Sequence, residues 1–262
     1  MSLSIFDLKG KTALLTGATH GLGMSMATGL ANAGAQIIIN DISAEKLELA
    51  LKEYAENGIE VKGYLFDVTD EEAVKAAIGK MESEVGPIDI LVNNAGIIKR
   101  TPVIDMELAD WEAVIRIDLT GPFIMSKHVG KYMIERRSGK VINICSMMSE
   151  VGRETVSAYA AAKGGLKMFT KNLATEWAKF NIQVNGIGPG YFATTQTAPI
   201  RVDGHPFNEF ILSRTPAARW GEPEDLQGAT IFLSSKASDF VNGHILYVDG
   251  GILATLGKAS NE

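Results

Sequence analysis

One stretch constrains this chain more than any other: the apolar run Lys11-Thr-Ala-Leu-Leu-Thr16, the turn Gly17-Ala-Thr-His-Gly21-Leu-Gly23, and the helix formers from Met24 to Ala33. Strand, glycine turn and helix in that order form a βα unit able to take a phosphate. Glycines let the backbone approach a pyrophosphate, and the first free N–H groups of the helix aim partial positive charge at it. Gly17, Thr19, His20, Gly21, Leu22 and Gly23 are therefore candidate cofactor contacts. Three glycines alone also mark many ordinary turns. Here they are followed by a second apolar strand, Gln36-Ile-Ile-Ile-Asn40. Asp41 closes it about 20 residues beyond the turn, where a carboxylate can accept from ribose hydroxyls. Asp41 can also cap the helix expected from Ala44.

The same unit repeats along the chain. Glu60–Phe66 alternates like a strand, and Asp67-Val-Thr-Asp70 leads into a helix over Glu71–Glu84; Asp67, with Val68 beside it, stands where an adenine amino group could be met. Ile88–Val92 ends in Asn93-Asn94-Ala95-Gly96, small residues that let the backbone pass close to a cofactor. A long helical pattern runs from Met106 past Gly121-Pro122 to Ser138-Gly139, with more apolar residues than one stripe needs, which points to packing on the sheet on one side and on another subunit on the other, with packing wholly within the chain as the alternative. Asn181–Ile187 and Gly243–Val248 read as further strands, and Glu222-Pro-Glu-Asp225 as a helix start. The expected architecture is a single α/β domain over 1–262, a doubly wound parallel seven-stranded sheet with helices on both faces. The irregular segment 191–220, at the carboxyl end of a strand, is expected to cover the substrate.

Composition removes several function classes. The 262 residues carry a net charge of −6 without a basic cluster, which argues against nucleic-acid and anionic-membrane partners. No apolar run is long enough to span a bilayer and no signal-peptide pattern is present, so the expected compartment is the cytoplasm. The single cysteine, Cys145, and four scattered histidines leave no metal-ligand spacing, and no metal site is expected.

Between these halves lies Ser146-Met-Met-Ser-Glu-Val-Gly-Arg-Glu-Thr-Val-Ser-Ala-Tyr159-Ala-Ala-Ala-Lys163. Tyr159 and Lys163 are four apart, so on a helix they share a face, and an ammonium there favours the phenolate. That is a general acid/base arrangement, although Tyr-x-x-x-Lys is also the pattern of an amphipathic surface pair. Ser146 follows the apolar run Lys140–Cys145, a buried strand that would deliver its hydroxyl to the sheet edge.

Taken together, Thr16-Gly17-x-x-x-Gly21-x-Gly23, Asn93-Asn-Ala-Gly96, Ser146, Tyr159-x-x-x-Lys163 and Pro189-Gly190-x-x-x-Thr194 resemble the short-chain dehydrogenase/reductase family over essentially the whole chain. The resemblance implies a Rossmann fold, with Tyr159 exchanging a proton with the substrate oxygen and Ser146 hydrogen-bonding that oxygen. Lys163 would support the tyrosine and, with Tyr159, meet the nicotinamide ribose, while Asn94, Ala95, Gly96, Pro189, Gly190 and Thr194 would line the cofactor. It also implies a homotetramer or homodimer. One position departs from the pattern: the fourth catalytic residue of the family is Asn, and here Ile117-Asp118-Leu119 supplies Asp118, which when ionised only accepts. In the family the main-chain carbonyl there holds a relay water, so Asp118 is expected to act through its backbone.

Val141–Arg153, Gly188–Tyr191, Thr215–Gly221 and Phe240–Gly251 resemble, more narrowly, the gluconate 5-dehydrogenase group, which interconverts D-gluconate and 5-keto-D-gluconate. A sugar acid calls for a cation and polar partners. Arg100 and Arg153 are the candidate carboxylate ligands, Glu150 a candidate acceptor for sugar hydroxyls, and Tyr191 and His205 candidates for closing the pocket. Asp41 would repel a 2′-phosphate, which favours NAD(H), while the group's use of both cofactors leaves NADP(H) open. The competing readings are reduction of another oxo substrate, a deoxy sugar acid or a 3-oxoacyl carrier-protein ester, and a non-catalytic dinucleotide sensor.

Overall fold

Leu14 and Leu15 are adjacent and fully buried, yet they belong to different cores. Side chains alternate across a strand, so a strand apolar on both sides must be covered on both faces. The computed structural model of the protein describes residues 3–195 and 197–257. Residues 1–2 and 258–262 of the expected domain, and Gln196 of the expected covering segment, lie outside them.

The strands are β1 (Thr12–Thr16), β2 (Gln36–Asp41), β3 (Val61–Leu65), β4 (Ile90–Asn93), β5 (Gly139–Ile144), β6 (Ile182–Pro189) and β7 (Ile245–Val248). They form one parallel sheet in the order β3-β2-β1-β4-β5-β6-β7. One face carries α1 (Gly21–Asn32), α2 (Ala44–Glu56) and α8 (Gln227–Ser234); Met26, Leu30, Tyr54 and Leu233 pack there against Leu15, Ile37 and Ile39. The other carries α3 (Glu71–Glu84), α5 (Gly121–Arg136) and α6 (Ser157–Trp177), with Ile78, Met81, Val129, Met133 and Trp177 against Leu14 and Ile38. The doubly wound sheet expected from the sequence is the sheet observed. The order in which strands are added reverses between β1 and β4, all still parallel, which opens a crevice at the carboxyl edge where such sheets bind ligands.

The long helical pattern after β4 is interrupted. α4 (Leu108–Ile115) and α5 are joined by a π turn, Arg116–Thr120, that contains Asp118. An inserted π turn rotates the residues that follow and occurs often at functional sites. The covering segment is also more regular than its composition suggests, holding the short helix α7 (Pro206–Arg214).

Beneath the carboxyl edge a buried polar chain ties the layers together. Asn93 Nδ2 donates to Asn143 Oδ1 at 2.8 Å, Asn143 Nδ2 donates to Thr170 Oγ1 at 2.8 Å, and that hydroxyl donates to Leu166 O at 2.8 Å. β4, β5 and α6 are thereby linked by side chains.

Candidate active site

The turn after β1 is shaped by the absence of side chains. Gly17 has φ +60°, and a Cβ there would stand 2.9 Å from Ala95 Cα; at Gly23 it would stand 2.5 Å from Asn94 Nδ2. Asn94 Nδ2 donates to the carbonyls of Thr16 and Gly17 at 3.0 and 2.8 Å, and Thr16 Oγ1 accepts from the N–H groups of Asn94 and Ala95. The turns after β1 and β4 therefore form one cradle. His20, exposed at the head of α1, makes no side-chain cap, which leaves the helix start open to an anion. Gly21 has φ +57°, and Leu22 packs against the core below.

Asp41 faces this cradle and is 9% exposed. Its Oδ2 accepts from Thr19 Oγ1 at 2.6 Å and its Oδ1 from Ser43 N at 2.9 Å. The cap of α2 is Ser43, which accepts from Lys46 N, so Asp41 is not the helix cap that its position also allowed. At the next strand end, Asp67 Oδ1 accepts from Thr69 N, and Val68 is buried beside Gly121. On the other side of the crevice, a Cβ at Gly190 would meet Asp249 Cα at 2.8 Å, and Pro189 ends β6. Thr194 is held by Thr197, whose hydroxyl accepts from Thr194 N at 2.9 Å. A glycine cradle at an uncapped helix start, with an acidic residue on the neighbouring strand, fits a dinucleotide.

Ser146 follows β5 and is 6% exposed. Its Oγ accepts from Met148 N at 3.1 Å, which leaves its own proton to donate. Ser149, which the sequence reading passed over, donates through Oγ to Lys163 O at 2.9 Å and so joins the serine turn to the turn of α6 that carries the lysine. The signal was present in Ser-x-x-Ser, the spacing of a capping box. Tyr159 and Lys163 lie on α6, with Lys163 Nζ 5.5 Å from the Tyr159 ring centre. They are not a surface pair, since Lys163 is 4% exposed.

Lys163 Nζ donates to Ile144 O at 2.8 Å and stands 3.2 Å from Asp118 Oδ2. Asp118 is fully buried, and its Oδ1 accepts from Ile97 N at 2.8 Å. Burial opposes the charge on Lys163, but Asp118, Tyr159 and Cys145 outweigh it and hold the ammonium above the ordinary lysine range. Burial pushes the Asp118 carboxyl up, against the pull of Lys163 and the Ile97 N–H. Cys145 is buried, its thiol pushed up to about 11 by desolvation, consistent with core filler.

The candidate substrate residues separate into two groups. Arg153 Nη1 is 3.5 Å from the Tyr191 hydroxyl, and its guanidinium lies over the Phe207 ring at the start of α7. His205 is the N-cap of that helix, its Nδ1 accepting from Phe207 N at 3.1 Å. Arg153, Tyr191 and His205 are thus gathered under one cover. Arg100 is exposed, but Thr101 N donates to Thr155 O at 2.8 Å, which lays its segment beside the Arg153 loop. Glu150 turns elsewhere, with its Oε1 2.5 Å from Lys167 Nζ and 2.6 Å from the Tyr247 hydroxyl, both scaffold groups. An apolar wall was also missed: Met147, Met148, Val156 and Ile252 are buried together, with Ile98, Tyr159, Tyr191 and Leu253 packed against them. Its sequence signal was diffuse, because the wall draws on segments far apart in the chain.

A dinucleotide crevice beside buried Ser146 and Lys163, with half-buried Tyr159 near the lysine, at the carboxyl edge of a doubly wound sheet defines a class, the nicotinamide-dependent oxidoreductases. Residues 11–204 match the family description short chain dehydrogenase, and the chain belongs to that family. It is 70% identical, over the full length of both chains, to the 2-dehydro-3-deoxy-D-gluconate 5-dehydrogenase of Formosa agariphila. A solved structure of 2-keto-3-deoxy-D-gluconate dehydrogenase from Streptococcus agalactiae is 60% identical over 96% of each chain, with a TM-score of 0.85. The structure of a gluconate 5-dehydrogenase from Burkholderia cenocepacia J2315 in complex with NADP and tartrate is 46% identical, with a TM-score of 0.93 over 98% of this chain and all of that one. Among the described residues no helix is long and apolar enough to cross a membrane.

Proposed function

We propose that the protein interconverts a six-carbon sugar acid and its 5-oxo form, and that it takes 2-dehydro-3-deoxy-D-gluconate in preference to D-gluconate. The observation that carries this reading is the composition of the wall around Tyr159. Met148, Ile98 and Leu253 offer no hydrogen-bonding side chain, whereas Arg153 offers a cation nearby. A 3-deoxy acid presents a methylene where gluconate presents a hydroxyl, and a buried hydroxyl without a partner is costly. The names borne by the relatives at 70% and 60% identity support the same preference. The D-gluconate pair to which the sequence pointed remains the second substrate, supported by the Burkholderia relative.

In oxidation, Tyr159 takes the proton of the C5 hydroxyl while Ser146 donates to the same oxygen; in reduction Tyr159 returns it. The bound nicotinamide supplies the hydride acceptor or donor. Arg153 holds the carboxylate end under Tyr191 and Phe207, with Arg100 at the mouth. Glu150 is given a scaffold role. NAD(H) is the favoured cofactor, because Asp41 faces the ribose side of the cradle, and NADP(H) is accepted more weakly. The exposed Val103, Ile104, Leu108 and Trp111 near α4 support assembly into a homodimer or homotetramer.

The test compares kcat/KM for the two acids in wild type and Tyr159→Phe. Wild type is expected to favour the 3-deoxy acid, and the variant to lose about a hundredfold or more of turnover. Equal kcat/KM for the two acids removes the substrate preference, and an active variant removes the role of Tyr159.

A further inference from the structure

Asp118 raises a question that its position in the chain does not answer. A neutral amide would satisfy the Ile97 N–H equally well through its oxygen, yet the fold buries a carboxylate completely and brings it to the ammonium that serves Tyr159. Burying a charge is unfavourable unless a partner meets it, and Oδ2 has no aligned hydrogen bond among the described residues, only the 3.2 Å contact with Lys163. Space is reserved for it: a Cβ at Gly96 would stand 2.8 Å from Oδ2. The ionisable groups around Lys163 are Asp118 from the π turn, Tyr159 from α6 itself and Cys145 from the end of β5. Lys167, a turn further along α6, is engaged by Glu150.

We propose that Asp118 is a positioning residue whose carboxylate balances the charge of Lys163, biases Tyr159 toward the neutral phenol, and so tunes the site toward reduction of the ketone near neutral pH. This rests on the reading of Tyr159 as the proton-transfer group. An ammonium alone would favour the phenolate; the ammonium and carboxylate together present a dipole whose negative end subtracts from that effect. Reduction needs a protonated tyrosine and oxidation needs a deprotonated one, so the pair sets which direction is ready at a given pH. The effect belongs to the side chain and is separate from any role of the Asp118 backbone.

Asp118→Asn is close in shape and keeps an acceptor for Ile97 N. It is expected to move the rising limb of the oxidation profile, kcat/KM against pH, about one unit toward acid, and to lower the reduction rate on the alkaline side. A limb that stays in place while both rates fall indicates a structural role and overturns the proposal, as does an alkaline shift. Phenolate absorbance of the cofactor-free protein, with Tyr159→Phe as the blank, gives the second readout. Tyr159 is expected to ionise at lower pH in Asp118→Asn than in wild type, and an unchanged titration overturns the proposal. If wild type oxidises no sugar acid with either nicotinamide, the functional reading fails while the titration still decides the pair.

Discussion

The guanidinium of Arg153 stands 4.1 Å from the centre of the Phe207 ring, so the loop between the serine and the tyrosine touches the helix that covers it. Phe207 meets Tyr191 edge to face at 5.8 Å, and Tyr191 meets Trp220 at 5.9 Å. The cation is therefore held by the Phe207 face and the Tyr191 hydroxyl, with no acidic partner among the ion pairs of the described residues. Arg153→Ala is expected to raise KM for a sugar acid about tenfold to a hundredfold, the worth of charged hydrogen bonds, with little change for an uncharged polyol. Steady-state kinetics on the two substrate types checks it, and equal effects on both would remove the carboxylate assignment.

The Thr19–Asp41 bond joins the glycine turn to the second strand, which gives Asp41 two tasks. Asp41→Ala is expected to lower kcat/KM for NAD about tenfold or more and to reduce that for NADP less, narrowing the ratio between cofactors. The ratio measured for the wild type and variant settles it, and a wild type that strongly prefers NADP would overturn the role given to Asp41.

Hydrogen bonds from Lys167 and Tyr247 hold Glu150 below the ordinary carboxylate range, and burial, then Glu150, pushes the Tyr247 phenol up. A carboxyl whose folded value is lowered contributes stability above its unfolded value, and the contribution is lost as pH falls through the folded value. The difference in Tm between wild type and Glu150→Gln should be present at neutral pH and shrink below about pH 4.3. A difference independent of pH would mean that the charge of Glu150 is irrelevant to the clamp.

Gly130 on α5 faces Trp177 at the end of α6, with no room for a Cβ between them. Gly130→Ala is expected to cost about 1–3 kcal/mol and to lower Tm by several degrees without changing KM. Thermal denaturation beside kinetics checks both parts.

The sheet was legible because its signal is local: Leu14-Leu15 and Ile37-Ile38-Ile39 need apolar cover on both faces wherever they lie. Tyr159 and Lys163 were legible through their spacing on a helix, and the glycine turn through its place after a strand. The partners of Glu150 were not legible, for a physical reason. Its neighbours in sequence include the candidate serine and tyrosine, but its partners are Lys167, one turn beyond Lys163 on α6, and Tyr247 on β7, and pairing across such sequence distances leaves no periodicity. Asp118 showed only as a substitution, since nothing local reveals that a π turn will rotate its carboxylate onto Lys163. The apolar wall stayed hidden because Ile252 and Leu253 reach it from beyond the last strand.

The polar chain from Asn93 through Asn143 to Thr170 runs in one donor direction, and its consequence lies in assembly. A slip of one residue turns every side chain to the other face, but a slip of two keeps each on its own face, so apolar contacts alone discriminate less against it. Here a two-residue slip of β4 against β5 would bury amides facing hydrocarbon, each unmet group costing about 1–3 kcal/mol. The chain thus carries its own proofreading mark at the centre of the sheet, read only when the strand that leads to Ser146 and the helix bearing Tyr159 have come together correctly.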